Sequence, residues 1–255
     1  MSAFLIRLSA ILLMLIDHVG AFLSLPTVPT LCCRILGRIA FPLFAFLTVN
    51  GYRHTKSRSA YLLRLWLFAL CSEPFFDFVH THTLWDPARQ NVFFTLALGL
   101  SALVILDICR KKTPLWGILG CGAIGLLCLA AWLLSTDYGI DGVVLILLFH
   151  LAWGKKAWLA TLCLLFSARL LLLHYARFVC DRLPLLGDLV NGPVAALPAQ
   201  WALITLAAAA AAIPLLLYNG KRGPTPKSRT AALLLQYAFY LFYPLHLLVL
   251  AILSF

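Results

Sequence analysis

The 255-residue chain is 63% hydrophobic and 11% charged, with a mean hydropathy of +0.96, against about a quarter charged in an average soluble domain. This excludes a soluble globular protein and predicts an integral membrane protein whose first partner is the lipid bilayer. Twenty Lys and Arg against nine Asp and Glu give a net charge of +11, but the cations are spread over alternate loops as the positive-inside rule spreads them, so no nucleic-acid partner is expected.

The pattern predicts an all-α fold, a polytopic transmembrane helical bundle of about nine spans (eight to ten): 4–25, 33–51, 60–79, 91–109, 115–134, 140–153, 156–175, 194–218 and 230–254. Each is near the length a bilayer needs except 140–153, which is short. The first segment has the position of a signal peptide, but it carries Asp17 and His18 and has no small-x-small cleavage site, so it is expected to stay attached. Basic residues collect after the second span (Arg53, Lys56, Arg58), the fourth (Arg110, Lys111, Lys112), the sixth (Lys155, Lys156) and the eighth (Lys221, Arg222, Lys227, Arg229). The intervening loops hold Arg89, Arg177 and Arg182 among Asp77, Asp86, Asp137, Asp181 and Asp188. This alternation predicts a cytoplasmic N-terminus and an extracytoplasmic C-terminus.

The polar stretches 80–90, 176–193 and 219–229 are each too short to bury a core, so residues 1–255 are expected to form one transmembrane domain. The run Ala207–Ala212 suits close helix packing. An inverted-repeat transporter is disfavoured because no internal repeat is visible. The eight cysteines form no C-x-x-C pair and read as small hydrophobes.

Ionisable groups at bilayer depth are costly and mark functional sites. Asp17-His18 is such a pair, and Arg7 lies eleven residues earlier on the same helical face, about 16 Å away along the axis. The predicted topology puts most of the remaining intramembrane polar groups in one outer layer: Arg34, Arg38, Glu73, Asn91, Asp141, Tyr243 and His246. Pairing of Arg38 with Glu73 or Asp17 is expected there, because an unpaired buried charge would neutralise. Pro42, Pro74 and Pro244 free the carbonyls of Arg38, Leu70 and Tyr240, and irregular backbone at this depth lines a cavity or is buried in protein. Several of these residues also have ordinary readings: Glu73 as a structural ion-pair partner, Arg34 and Arg38 as interface anchors, Tyr243 in an aromatic belt, and His246 as a core histidine. His80-x-His82 offers two metal ligands without a third, so no metal is expected.

A histidine beside a carboxylate in a membrane cavity suits general-base or nucleophilic catalysis. An arginine nearer the cytoplasmic end suits an anionic donor. The blocks Leu15-Ile-Asp-His-Val-Gly20, Arg38-Ile-Ala-Phe-Pro-Leu-Phe-Ala-Phe46, Asn50-Gly-Tyr-Arg-His-Thr55, Ser72-Glu-Pro-Phe75, Asn91-Val-Phe-Phe-Thr-Leu96, Tyr138-Gly139 and Phe242-Tyr-Pro-Leu-His246 together resemble the TraX family, polytopic proteins named for acetylating the pilin N-terminus. The Arg7 to His18 spacing is similar to the arginine-x10-histidine signature of acyltransferase-three proteins, which are grouped with TraX among transmembrane acyl transferases.

The resemblance implies an acetyl-CoA-dependent transmembrane acyltransferase in a bacterial cytoplasmic (inner) membrane. Its cytosolic donor would be acetyl-CoA, and its acceptor an extracytoplasmic pilin amine or a glycan or lipid amine or hydroxyl. It implies His18 as the catalytic residue and Arg7 as a cofactor contact. Asp17 and Glu73 are expected to orient the catalytic histidine, and Arg38, Arg53 and Arg58 to contribute to cofactor binding. Asn91, Tyr243 and His246, which match family blocks, are candidates for substrate binding. The alternative is a proton-coupled secondary transporter with Asp17, His18, Glu73 and His246 as its relay.

Overall fold

Helices make up the regular structure of the computed structural model, which describes residues 1–110, 112–180, 198–224, 226 and 228–254, without the side chains of 177–180, 198, 199 and 229. Expectations placed on Lys111, Asp181, Arg182, Asp188 and Lys227, and on the side chains of Arg177 and Arg229, lie outside the described residues. In chain order the helices are α1 (Ala3–Phe22), α2 (Thr27–Gly37), α3 (Ala40–His54), α4 (Arg58–Thr81), α5 (Val92–Cys109), α6 (Pro114–Leu133), α7 (Gly139–Leu151), α8 (Lys156–Cys180), α9 (Pro198–Ala207), α10 (Ala212–Leu216) and α11 (Arg229–Leu253). Among the described residues, six helical stretches are long and apolar enough to cross a membrane, while α7 and 200–216 are shorter apolar helices. The protein is an all-α bundle.

Two predicted spans are broken, both by proline. The second begins at Thr27 and divides into α2 and α3 around Arg38, because Pro42 has no N–H for the Arg38 carbonyl. The eighth tightens into a 3-10 turn at Ala208–Ala211 before α10, where Pro214 cannot donate to the carbonyl of Ala210. Starts follow local chemistry: Ser2 caps α1 by accepting from the Leu5 N–H, Ser57 caps α4 by accepting from Ala60, and Asn91 caps α5 by accepting from Phe93. Pro114 opens α6, where a missing N–H costs nothing.

Helices α3 and α5 are the inner posts, with Leu43, Ala45, Val49, Ala97, Leu100 and Leu103 fully buried. Ile146 and Phe149 of α7 complete this layer, and Gly99 lets α7 approach because any side chain there would strike Ile146. Between α1 and α2 the same device appears twice: a side chain at Gly20 would meet Cys33, and one at Gly37 would meet Asp17. Helix α6 is peripheral and presents Ile118 and Leu126 outward, as a lipid-facing helix should.

The loops sort to two ends. At the basic end, Ala3 and Phe4 donate backbone N–H groups to the Lys221 and Arg222 carbonyls, at 2.9 and 3.0 Å, and Asn219 donates to Met1 at 2.9 Å. Arg222 also donates to the His54 carbonyl there. At the far end, Gln90 and Thr136 form an isolated bridge, and Arg38 reaches the Tyr138 hydroxyl at 3.5 Å.

Candidate functional site

His18 projects from the far half of α1 and His246 from α11, two residues after Pro244. Their imidazoles meet with His18 Nδ1 2.6 Å from His246 Nε2. The rings are within 3° of parallel with centroids 4.9 Å apart, so they lie end to end in nearly one plane rather than face to face. His246 Nδ1 is 2.8 Å from the Phe242 carbonyl, and a carbonyl only accepts. That fixes the proton of neutral His246 on Nδ1 and makes its Nε2 an acceptor. His18 Nδ1 must therefore donate, which leaves the His18 Nε2 lone pair unprotonated and aimed away from the pair. Phe22 and Tyr243 flank His18, with ring centroids at 5.7 and 6.2 Å, and Tyr243 is itself buried against Phe93.

The two carboxylates expected to orient His18 have other partners. Asp17 pairs with Arg34 at 2.8 Å rather than with Arg38, because the close Gly37 contact sets α2 directly against Asp17. Its other oxygen, Oδ1, is buried without a hydrogen-bond partner. Glu73 Oε2 accepts from the backbone N–H of Asn91 at 3.2 Å and from the Asn91 side-chain amide. Asn91 Nδ2 also donates to the Ala69 carbonyl at 2.8 Å, in the turn that Pro74 disturbs. Glu73 and Asn91 thus join α4 to the start of α5, while Asp77 one turn on accepts from the Asp86 N–H. Arg38 turns to Tyr138, whose phenol lies outside the helices and is pushed up to about 12 by burial. At that pKa it stays neutral and accepts from the guanidinium.

The basic end holds a second polar cluster. Asp107 of α5 accepts from the Tyr52 hydroxyl at 2.8 Å, faces His150 Nε2 at 3.3 Å and pairs with Arg58 at 3.2 Å. Arg58 also covers the Tyr52 ring, and Arg53 donates to the His150 carbonyl while lying over Trp153. Two of the four arginines expected to bind cofactor, Arg53 and Arg58, are committed to protein groups here. Beside them a cavity of about 340 Å³ is lined by Phe46, His54, Trp153, Lys156 and Tyr218 among others; it opens on the α3 and α8 side. Arg7 lies elsewhere, over the Phe239 ring at 5.0 Å, on the same face of α1 as His18.

The four residues of the transporter alternative therefore fall into three separate couples, Asp17 with Arg34, Glu73 with Asn91, and His18 with His246. Sequence reading missed Asp107, although a lone carboxylate in an apolar segment near a basic loop is a readable signal for an ion pair. The partnership of His18 with His246 had no sequence signal beyond both residues sharing a layer.

A family model described as TraX protein matches residues 2–254. The probable fimbrial assembly protein FimC, serogroup H1, of Dichelobacter nodosus is 33% identical over 256 residues, covering 96% of this chain and 93% of that protein. No solved structure matches.

Proposed function

The chain belongs to the TraX family, and from that premise we propose that it is an acetyl-CoA-dependent transmembrane acetyltransferase acting on an extracytoplasmic amine or hydroxyl. The observation that carries this reading is the His18–His246–Phe242 chain, which leaves one imidazole nitrogen of His18 with a free lone pair. A base held in one tautomer by a second group is the arrangement that nucleophilic and general-base catalysis require. The name of the Dichelobacter relative, a probable fimbrial assembly protein, favours a fimbrial or pilin subunit as the acceptor. By the positive-inside rule the basic end faces the cytosol, so the donor arrives from the Arg7 side and the acceptor from the far end.

Two balanced routes use the same nitrogen. In direct transfer, His18 Nε2 takes the acceptor's proton as the acceptor attacks the thioester carbonyl; the C–S bond breaks and the proton passes on to the leaving thiolate. In the two-step route, Nε2 attacks the carbonyl itself and the thiolate leaves. His246 Nε2 then accepts the Nδ1 proton, which leaves acetylated His18 neutral and puts the positive charge on His246. The acceptor next displaces the imidazole, His246 returns its proton, and the proton released by the acceptor goes to the thiolate.

The test is CoA release from acetyl-CoA by purified protein with pooled amine, sugar and peptide acceptors. His18-dependent release is expected; no release by a folded sample, together with proton-driven uptake into vesicles, would replace this reading with transport. Labelled acetyl retained on the protein without acceptor selects the two-step route.

A further inference from the structure

The cavity of about 340 Å³ at the basic end has the volume of a small-molecule site, and none of its lining residues belongs to the His18 pair. Its walls change character with depth. His54 ends α3, and Phe46 lies eight residues earlier on that helix, roughly 12 Å deeper at 1.5 Å per residue. Lys156 opens α8, and Leu159 follows three residues on, about 4–5 Å deeper. Phe46 and Leu159 are buried, whereas His54 and Lys156 are exposed. The cavity is therefore polar at its mouth and apolar at its floor.

The mouth carries hydrogen-bonding capacity that the protein does not use. Among the described residues, Lys156 makes no ion pair or side-chain hydrogen bond. Asn219 Oδ1 accepts from the Lys221 N–H at 3.1 Å, and its amide NH2 has no acceptor among the described residues. His54 Nδ1 is 2.8 Å from the Asn50 carbonyl, which only accepts, so neutral His54 carries its proton there and presents Nε2 as an acceptor. Only the Tyr218 hydroxyl is spent, on Asn50 Oδ1 at 3.2 Å. Arg222 donates to the His54 carbonyl and Arg53 covers the Trp153 ring, and no carboxylate lines the cavity among the described residues.

We propose that this cavity binds an anionic phospholipid with a hydroxylated headgroup, of the phosphatidylglycerol type. Its phosphate lies between Lys156 and the Asn219 amide, a headgroup hydroxyl donates to His54 Nε2, and a chain starts along Phe46 and Leu159 and leaves into hydrocarbon on the α3 and α8 side. Basic pockets between helices at a membrane surface are where acidic headgroups are held. The graded walls match an amphiphile; a free anion would use the mouth alone. The site stands apart from His18 and does not rest on the transferase reading.

The test is native mass spectrometry of protein released from phosphatidylcholine nanodiscs that contain a minority of phosphatidylglycerol. Wild type should retain one phosphatidylglycerol in preference to phosphatidylcholine, and no preference overturns the site. Lys156→Gln should lower that retention roughly fivefold, the effect of one basic residue beside an acidic headgroup. Lys155→Gln, in the same loop but outside the cavity, should retain it as wild type does. Both lysines are exposed, so neither change threatens the fold. Unaltered retention in Lys156→Gln, or an equal loss in Lys155→Gln, overturns the site. Phosphatidylethanol, with the same charge and no headgroup hydroxyl, should be retained less than phosphatidylglycerol by wild type and equally by His54→Phe; equal retention by wild type overturns the His54 contact. Excess inorganic phosphate should leave the lipid in place, and its displacement would replace the lipid with a soluble phosphate as the occupant.

Discussion

The far-end site and the basic-end cluster have nearly the same ingredients: buried histidine, a carboxylate, a tyrosine and two arginines. At the basic end the carboxylate is the hub, since Asp107 takes Tyr52, His150 and Arg58 together, and His150 Nδ1 is buried without a partner. At the far end Asp17 pairs with Arg34 and not with a histidine, so His18 is held by His246, which is held in turn by the Phe242 carbonyl. Composition does not distinguish the two clusters; which group the histidine is bonded to, a carboxylate at one end and a second imidazole at the other, does.

The largest effect that would break this contrast lies at His18. His18→Ala should lower CoA release by roughly 10²- to 10⁴-fold, the range general acid–base or covalent groups contribute, with thermal unfolding little changed. Retained turnover in this variant would falsify the catalytic assignment. His246→Ala should follow at about 10- to 100-fold, the usual cost of losing a group that orients another. That loss belongs in kcat rather than KM, and a drop confined to KM would instead make His246 a substrate contact.

The basic end should respond in stability rather than chemistry. Asp107→Asn removes the hub's charge while keeping its shape, and should destabilise by about 1–3 kcal/mol, the cost of leaving hydrogen-bonded groups partly unsatisfied. Denaturation in detergent measures this, and unaltered stability would mean that the cluster is solvated in membranes. Smallest of all should be Arg53→Ala, within about 0.5 kcal/mol as for most exposed positions, because Arg53 keeps an exposed guanidinium on a single carbonyl and a ring face.

Much of this architecture is legible in the residues. Apolar runs set the spans, and Pro42 and Pro214 account for the two breaks, because a missing N–H acts locally. Alternating basic loops identify one end, and the polar groups of Asp17, His18, Glu73, Asn91 and His246 read as a layer. The pairing within that layer is not legible. Whether Asp17 meets Arg34 or Arg38 depends on how α1 and α2 slide past each other, and that is set by the Gly20–Cys33 and Gly37–Asp17 contacts, a matter of interhelical register rather than of sequence spacing.

The hydrogen bond between His18 and His246 joins residues 228 positions apart. Along a nascent chain inserting from its N-terminal helix, α1 enters the bilayer long before α11 is made. Throughout that interval the His18 imidazole has no His246 to fix its tautomer. The His18–His246 pair is thus completed only when α11 is made, and a chain that stops before α11 carries the Asp17–Arg34 and Glu73–Asn91 couples without it.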